Sequence, residues 1–166
     1  MAELVVYFSR ADENYFGGDI RSVGVGNTEK IASMIEEVTG ADSFKIEPSN
    51  PYSQNYYECV EEAKADLQND ARPDIKGYLD NIEDYNTVYI GYPNYCGTMP
   101  MHVFTFLEHY NFSGKNIKPF CTHEGDGFGQ SVDDIKRICP GAVVERGLAI
   151  KGDAIGTAKK AIENWV

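Results

Sequence analysis

Apolar residues along the chain fall into two alternating kinds of block. Compact apolar runs bounded by turn residues read as buried strands at 4–8, 42–47, 88–92, 117–122 and 142–150. Between them, apolar positions recur at helical spacing. Ile31, Met34, Ile35 and Val38 do so behind Thr28, with Gly40 as a stop. Tyr56, Cys59, Val60, Ala63 and Leu67 form a second stripe, backed by Glu58, Glu61, Glu62, Lys64 and Asp66 as a solvated face. Met101, Phe104 and Leu107 follow Pro100, a residue suited to a first helical turn. Val132, Ile135 and Ile138 point inward behind Gln130 or Ser131, and a last helix spans 156–165. Residues 70–84, with Pro73 and Gly77, alternate poorly and read as loop. Five strands with intervening helices predict a parallel sheet covered on both faces, within a single domain over 1–166.

Three loops at strand carboxyl ends carry candidate chemistry, because ligands of open α/β sheets bind in that crevice. After strand one come Ser9-Arg10-Ala11, an excursion over 10–25 containing Gly17-Gly18, and then Gly26-Asn27-Thr28 at a helix start. Unpaired N–H groups and the positive end of the helix dipole make this a phosphate site on physical grounds. The plainer reading is that Asn27 or Thr28 is a helix N-cap. After strand three, Pro93-Asn94-Tyr95-Cys96-Gly97 is polar and aromatic at once, and Tyr95 suits stacking on a planar ring. The alternative is that its aromatics only cap the sheet. After strand four, His123-Glu124-Gly125-Asp126-Gly127-Phe128-Gly129 carries three glycines in five residues, which lets backbone approach a ligand.

Composition narrows the classes. A chain of 166 residues, 42% hydrophobic and 25% charged, can bury a sizeable core and is globular. No run approaches the roughly 18 apolar residues of a membrane span, and no signal peptide precedes strand one, so a cytoplasmic protein is expected. Cys59, Cys96, Cys121 and Cys139 lack CxxC spacing and read as reduced thiols, although four could form two disulfides. His102, His109 and His123 are scattered, which argues against a metal site. The net charge of −11 disfavours nucleic acid and anionic membranes and permits steering toward a basic protein partner, or serves only solubility.

Three motifs carry a family resemblance. Tyr-Phe-Ser-Arg at 7–10, Tyr-Pro-x-aromatic-x-Gly-Thr-Met-Pro at 92–100 and Val-x-Thr-Phe-Leu-Glu at 103–108 resemble flavodoxins, and most of all the bacterial group beginning Tyr-Phe-Ser-Arg. The resemblance implies a flavodoxin-like doubly wound five-stranded parallel sheet of order 2-1-3-4-5, which gathers the three loops at one crevice. It implies FMN as cofactor. The phosphate would lie on Ser9, Asn27 and Thr28, with Gly26 in the closing turn and Arg10 and Ala11 counted as cofactor-binding; whether Arg10, Asn14 or Arg21 also reaches the phosphate stays open. The flavin would lie on Pro93, Asn94, Tyr95, Cys96 and Gly97 and on Glu124, Gly125, Asp126, Gly127 and Phe128. In flavodoxins the peptide corresponding to Cys96–Gly97 turns its carbonyl toward flavin N5. His123, Glu124 and Asp126 depart from the group's usual Thr-Ser-Gly-Gly-Ser-Gly-x-Gly loop, and Glu124 and Asp126 would bring negative charge near the flavin's pyrimidine end.

The implied function is a low-potential electron carrier between redox proteins, with no catalytic residues of its own, because the cofactor supplies the chemistry. The alternative is an FMN-dependent NAD(P)H:quinone-type oxidoreductase of the same fold, to which residues 10–25 could contribute a substrate wall or a dimer interface. A flavin-free signalling receiver would need an acidic pair after strand one and an Asp ending strand three. Ser9-Arg10 and Tyr92-Pro93 stand there instead.

Overall fold

A computed structural model describes residues 2–166 of the chain. Strand β1 (Ala2–Tyr7) leads into a ribbon of β2 (Asp12–Phe16) and β3 (Asp19–Val23), and then into helix α1 (Asn27–Thr39). Next come β4 (Asp42–Lys45), α2 (Tyr56–Gln68), β5 (Tyr85–Pro93), α3 (Met101–His109), β6 (Asn116–His123) and α4 (Ser131–Ile138). The chain closes with β7 (Val143–Val144), β8 (Leu148–Lys151), a 3-10 turn (Gly152–Thr157) and α5 (Lys159–Trp165).

The main sheet runs β4-β1-β5-β6-β7, with β8 also on β6, and every pairing is parallel. With the ribbon set aside, this is the expected 2-1-3-4-5 order. Alternation along β1 divides the core between the two faces. Leu4 and Val6 pack with Val88, Ile90, Phe104 and Leu107 on one side, while Val5 and Tyr7 pack with Tyr89, Ile31, Ile35 and Ile162 on the other. None of these is more than 9% exposed, so the sheet is buried on both faces, as parallel sheets require.

Two expectations change in detail. The fifth strand is split: β7 pairs with Asn116 and Ile117, and β8 with Phe120 to His123. The gap falls beside Lys118 and Pro119, and a proline has no N–H to offer a neighbouring strand. The last helix begins at Lys159, because residues 152–157 wind as a tighter 3-10 turn.

The excursion over 10–25 is an antiparallel hairpin, with Asp12 opposite Val23 and Phe16 opposite Asp19. Gly17 and Gly18 form its tip at φ +55° and +104°. Positive φ at both central residues is what a twist-matched type I′ turn demands, and two glycines supply it without strain. Among the described residues, no helix is long and apolar enough to cross a membrane.

Candidate functional site

The loops after β1, β5 and β6 converge at the carboxyl edge of the sheet. There they meet the β2–β3 hairpin and one face of α2 around a cavity of about 380 Å³.

At one end lies the first turn of α1. Gly26 packs so closely on the Arg10 carbonyl and the Ser9 hydroxyl that a Cβ there would collide with both. That contact brings the end of β1 onto the start of the helix. Ser9 Oγ accepts the Glu29 N–H at 3.1 Å, capping α1 from 20 residues upstream. Its own hydroxyl proton stays free to be donated. The Thr28 and Thr122 hydroxyls, both buried, meet at 2.8 Å and tie this turn to the end of β6. Asn27 and Thr28 line the cavity, and their N–H groups, in the first helical turn, have no partner within the helix.

The loop after β5 closes through reciprocal backbone bonds. Tyr95 N–H reaches the Thr98 carbonyl at 2.8 Å, and Thr98 N–H returns to Tyr95 at 3.2 Å. Cys96 and Gly97 form the turn at φ +55° and +93°, again type I′. The Asn94 side chain accepts the Gly97 N–H at 2.9 Å and donates to the Gly127 carbonyl at 2.8 Å. Gln130 N–H donates to the Gly97 carbonyl at 2.7 Å. The loops after β5 and β6 are thereby one cross-braced unit. None of these contacts uses the Cys96 carbonyl.

Tyr95 lines the cavity with a half-buried ring while its hydroxyl points inward, beside the Cys59 thiol. Burial, and then the neighbouring Cys59, hold its phenol well above its ordinary range. Phe8 meets the ring edge-on at 5.9 Å. Behind it His102, 1% exposed, stacks on Phe8 at 5.3 Å and meets Tyr52 edge-on at 5.2 Å. Burial pushes this imidazole down to about 4, against the opposing pull of the Asp66 carboxylate.

The remaining walls are of mixed charge. Asp126 and Glu124 line the β6 side, and the Glu124 carboxylate accepts the Gly17 N–H of the hairpin tip at 3.1 Å. His123 Nδ1 accepts the Gly125 N–H at 2.9 Å, shaping that loop. Arg10 lines the cavity, but its guanidinium donates to the carbonyls of Glu13 at 2.9 Å and Gln54 at 3.0 Å. It braces the hairpin against the approach to α2. Lys64 stands on the α2 wall near Cys96, where burial raises the thiol pKa and the Lys64 charge lowers it.

The structure thus gathers Arg10, Asn27, Thr28, Pro93, Asn94, Tyr95, Cys96, Glu124 and Asp126 on one cavity. Ser9 and Gly26 shape the cradle from behind, and Gly97 and Gly127 receive the Asn94 brace. Ala11, through its carbonyl, and Gly125 serve the backbone of their own loops. Phe128 goes elsewhere: its ring packs over Gly147 and the core. Sequence reasoning missed the α2 wall of Tyr56, Cys59, Val60, Ala63 and Lys64, the hairpin residue Tyr15, and Thr122 and His123 at the end of β6. Asn14 was weighed only as a phosphate contact, and it too lines the cavity. The apolar members of the α2 wall were visible as a helical stripe, but one indistinguishable from ordinary core.

A family model described as flavodoxin matches residues 20–166. The chain belongs to the flavodoxin family. Solved structures extend the likeness to the whole fold. A protein from Bacteroides eggerthii assigned as a flavoprotein is 26% identical, with 97% of each chain covered and a TM-score of 0.73. A flavoprotein from Lactobacillus acidophilus in complex with FMN is 19% identical, covering 99% of this chain and 97% of its own, with a TM-score of 0.67. The Fusobacterium nucleatum flavodoxin bound to flavin mononucleotide is 14% identical, covering 99% and 95%, with a TM-score of 0.57. At such identities the last two show a shared fold. Among curated proteins none matches.

Proposed function

We propose that this member of the flavodoxin family binds one FMN in the crevice and carries electrons between redox proteins. The observation that carries this reading is the pairing, in one cavity, of an anion cradle at the start of α1 with an aromatic face at Tyr95. The residues present fit a flavin mononucleotide. Asn27 and Thr28 offer unpaired N–H groups, Ser9 offers a free hydroxyl proton, and the helix dipole favours a phosphate there. No lysine or arginine is needed at that end, and Arg10 is engaged in bracing the hairpin. FMN supplies the redox chemistry when bound, and the chain supplies binding, orientation and electrostatics.

Tyr95 supports the ring, while Asn94 holds the Cys96–Gly97 turn beside it with the Cys96 carbonyl uncommitted. Asp126 on the cavity wall, Glu124 close by and the overall charge of −11 disfavour a second negative charge in the crevice. That bias separates the two electron-transfer steps and suits one-electron exchange. Partners are redox proteins with a basic docking face. Exposed Glu58, Glu61 and Glu62 on α2, beside the cavity wall, provide the complement. A cytoplasmic setting suits the four free thiols, of which Cys96 is exposed.

The test is a flavin titration followed by reductive titration. FMN should bind far more tightly than riboflavin, and reduction should proceed in two steps at separate potentials. Equal affinity for the two flavins would overturn the cradle. A single two-electron step, with rapid reduction by NAD(P)H, would replace the carrier by the oxidoreductase.

A further inference from the structure

The inserted hairpin brings to the crevice something the β6 loop does not. The one aromatic of that loop, Phe128, is turned inward over Gly147. The tyrosines that line the cavity are Tyr95 from the β5 loop, Tyr56 from the start of α2 and Tyr15 from β2. Tyr15 and Tyr56 pack on each other at 5.9 Å between centroids, tilted by 33°. Tyr15 has no place in the core: it is 39% exposed, on a two-stranded ribbon outside the main sheet.

The ribbon is pinned from two sides. On the α2 side, Glu13 accepts the Tyr56 N–H at 2.8 Å and Arg10 donates to the Gln54 carbonyl at 3.0 Å. On the other side, Gly17 N–H reaches the Glu124 carboxylate at 3.1 Å. A side chain carried on such a braced segment loses little freedom when it meets a ligand.

Resting on the FMN reading above, we propose that Tyr15, backed by Tyr56, is a second ring-binding residue, so that the hairpin completes an aromatic clamp begun by Tyr95. A tilted or offset tyrosine against a planar ring adds attraction beyond burial, equivalent to roughly threefold to tenfold in Kd. The hairpin therefore contributes to cofactor affinity through its ring, and its backbone contacts serve to aim that ring.

The test measures FMN Kd together with the visible circular dichroism of the bound flavin, which reports the surroundings of the ring. Tyr15→Ala should weaken FMN by roughly threefold to tenfold and alter the flavin bands, and Tyr15→Phe should restore both. Tyr56→Ala, which leaves the hairpin turn and its Glu124 contact in place, should shift affinity and bands in the same direction. Unchanged affinity and bands in Tyr15→Ala would overturn the clamp. So would a weakened affinity with unaltered bands, or a loss that phenylalanine does not restore. A wild-type protein that binds no FMN would instead overturn the FMN reading itself.

Discussion

Asn94 and Gly127 sit on different loops, yet the Asn94 amide donates to the Gly127 carbonyl at 2.8 Å. The same side chain accepts the Gly97 N–H at 2.9 Å, so one residue sets the spacing between the two loops that flank the crevice. Asn94→Ala leaves both backbone groups without their partner, a loss of about 1–3 kcal/mol. Asn94→Asp keeps the acceptor for Gly97 but turns a charge toward a carbonyl oxygen, and should be no better. Urea melts of the apo protein and FMN titrations check this. Wild-type values for both variants would mean that the brace is dispensable.

Ser9→Ala removes a cap that the sequence of α1 itself does not supply, since Gly26 precedes the helix and has no side chain. Stability should fall by about 1 kcal/mol, as a lower denaturation midpoint with an unchanged slope. On the FMN reading, affinity should fall as well, because the hydroxyl fixes the helix start that would hold the phosphate and its loss removes a donor beside it. A stability loss with unaltered FMN affinity would confine Ser9 to capping.

Tyr95 separates ring from hydroxyl. Tyr95→Ala should weaken FMN about tenfold through lost stacking and burial. Tyr95→Phe keeps the ring and removes only a buried hydroxyl that lies beside Cys59, so affinity should stay within about twofold of wild type. A phenylalanine variant as weak as the alanine one would show that the hydroxyl, and not the ring face, acts on the flavin.

His102 makes stability depend on pH. Its imidazole is neutral in the folded protein down to about 4, whereas an unfolded histidine takes up its proton near 6.5. Between those values the unfolded chain binds more protons. Stability from this group is therefore complete above pH 6.5 and declines as pH falls toward about 4, by at most about 1.4 kcal/mol per pH unit. His102→Phe preserves stacking on Phe8 and removes the titration, while the carboxylates act alike in both proteins. The stability difference between wild type and variant should thus change between pH 7 and 5. A constant difference would show that His102 does not titrate on unfolding.

The sheet and most helices were legible because their signals are local. Strand runs and the stripe of Ile31, Met34, Ile35 and Val38 need no knowledge of what packs on them. The break in the fifth strand was not legible within that strand, because it lies beside Pro119 on its neighbour. The hairpin had a local signal in Gly17-Gly18, but polar flanks such as Asp12, Glu13, Arg21 and Ser22 hid the alternation that usually accompanies one. In the site, the three loops followed from topology. The α2 wall did not, because Cys59 and Ala63 sit on an apolar stripe whether the neighbouring space holds protein or ligand. Phe128 shows the same limit in reverse: a ring on a glycine-rich loop takes its direction from what lies beneath, here Gly147.

Gly26 touches the carbonyl of Arg10, so the ribbon leaves the domain and re-enters it at one point. An excursion whose ends already meet adds length without displacing either neighbour. Doubling such a loop costs only about 0.6 kcal/mol in closure entropy. The length of this segment can therefore change while the cradle beneath keeps its shape, provided that Glu13, Tyr15 and Gly17 keep their places.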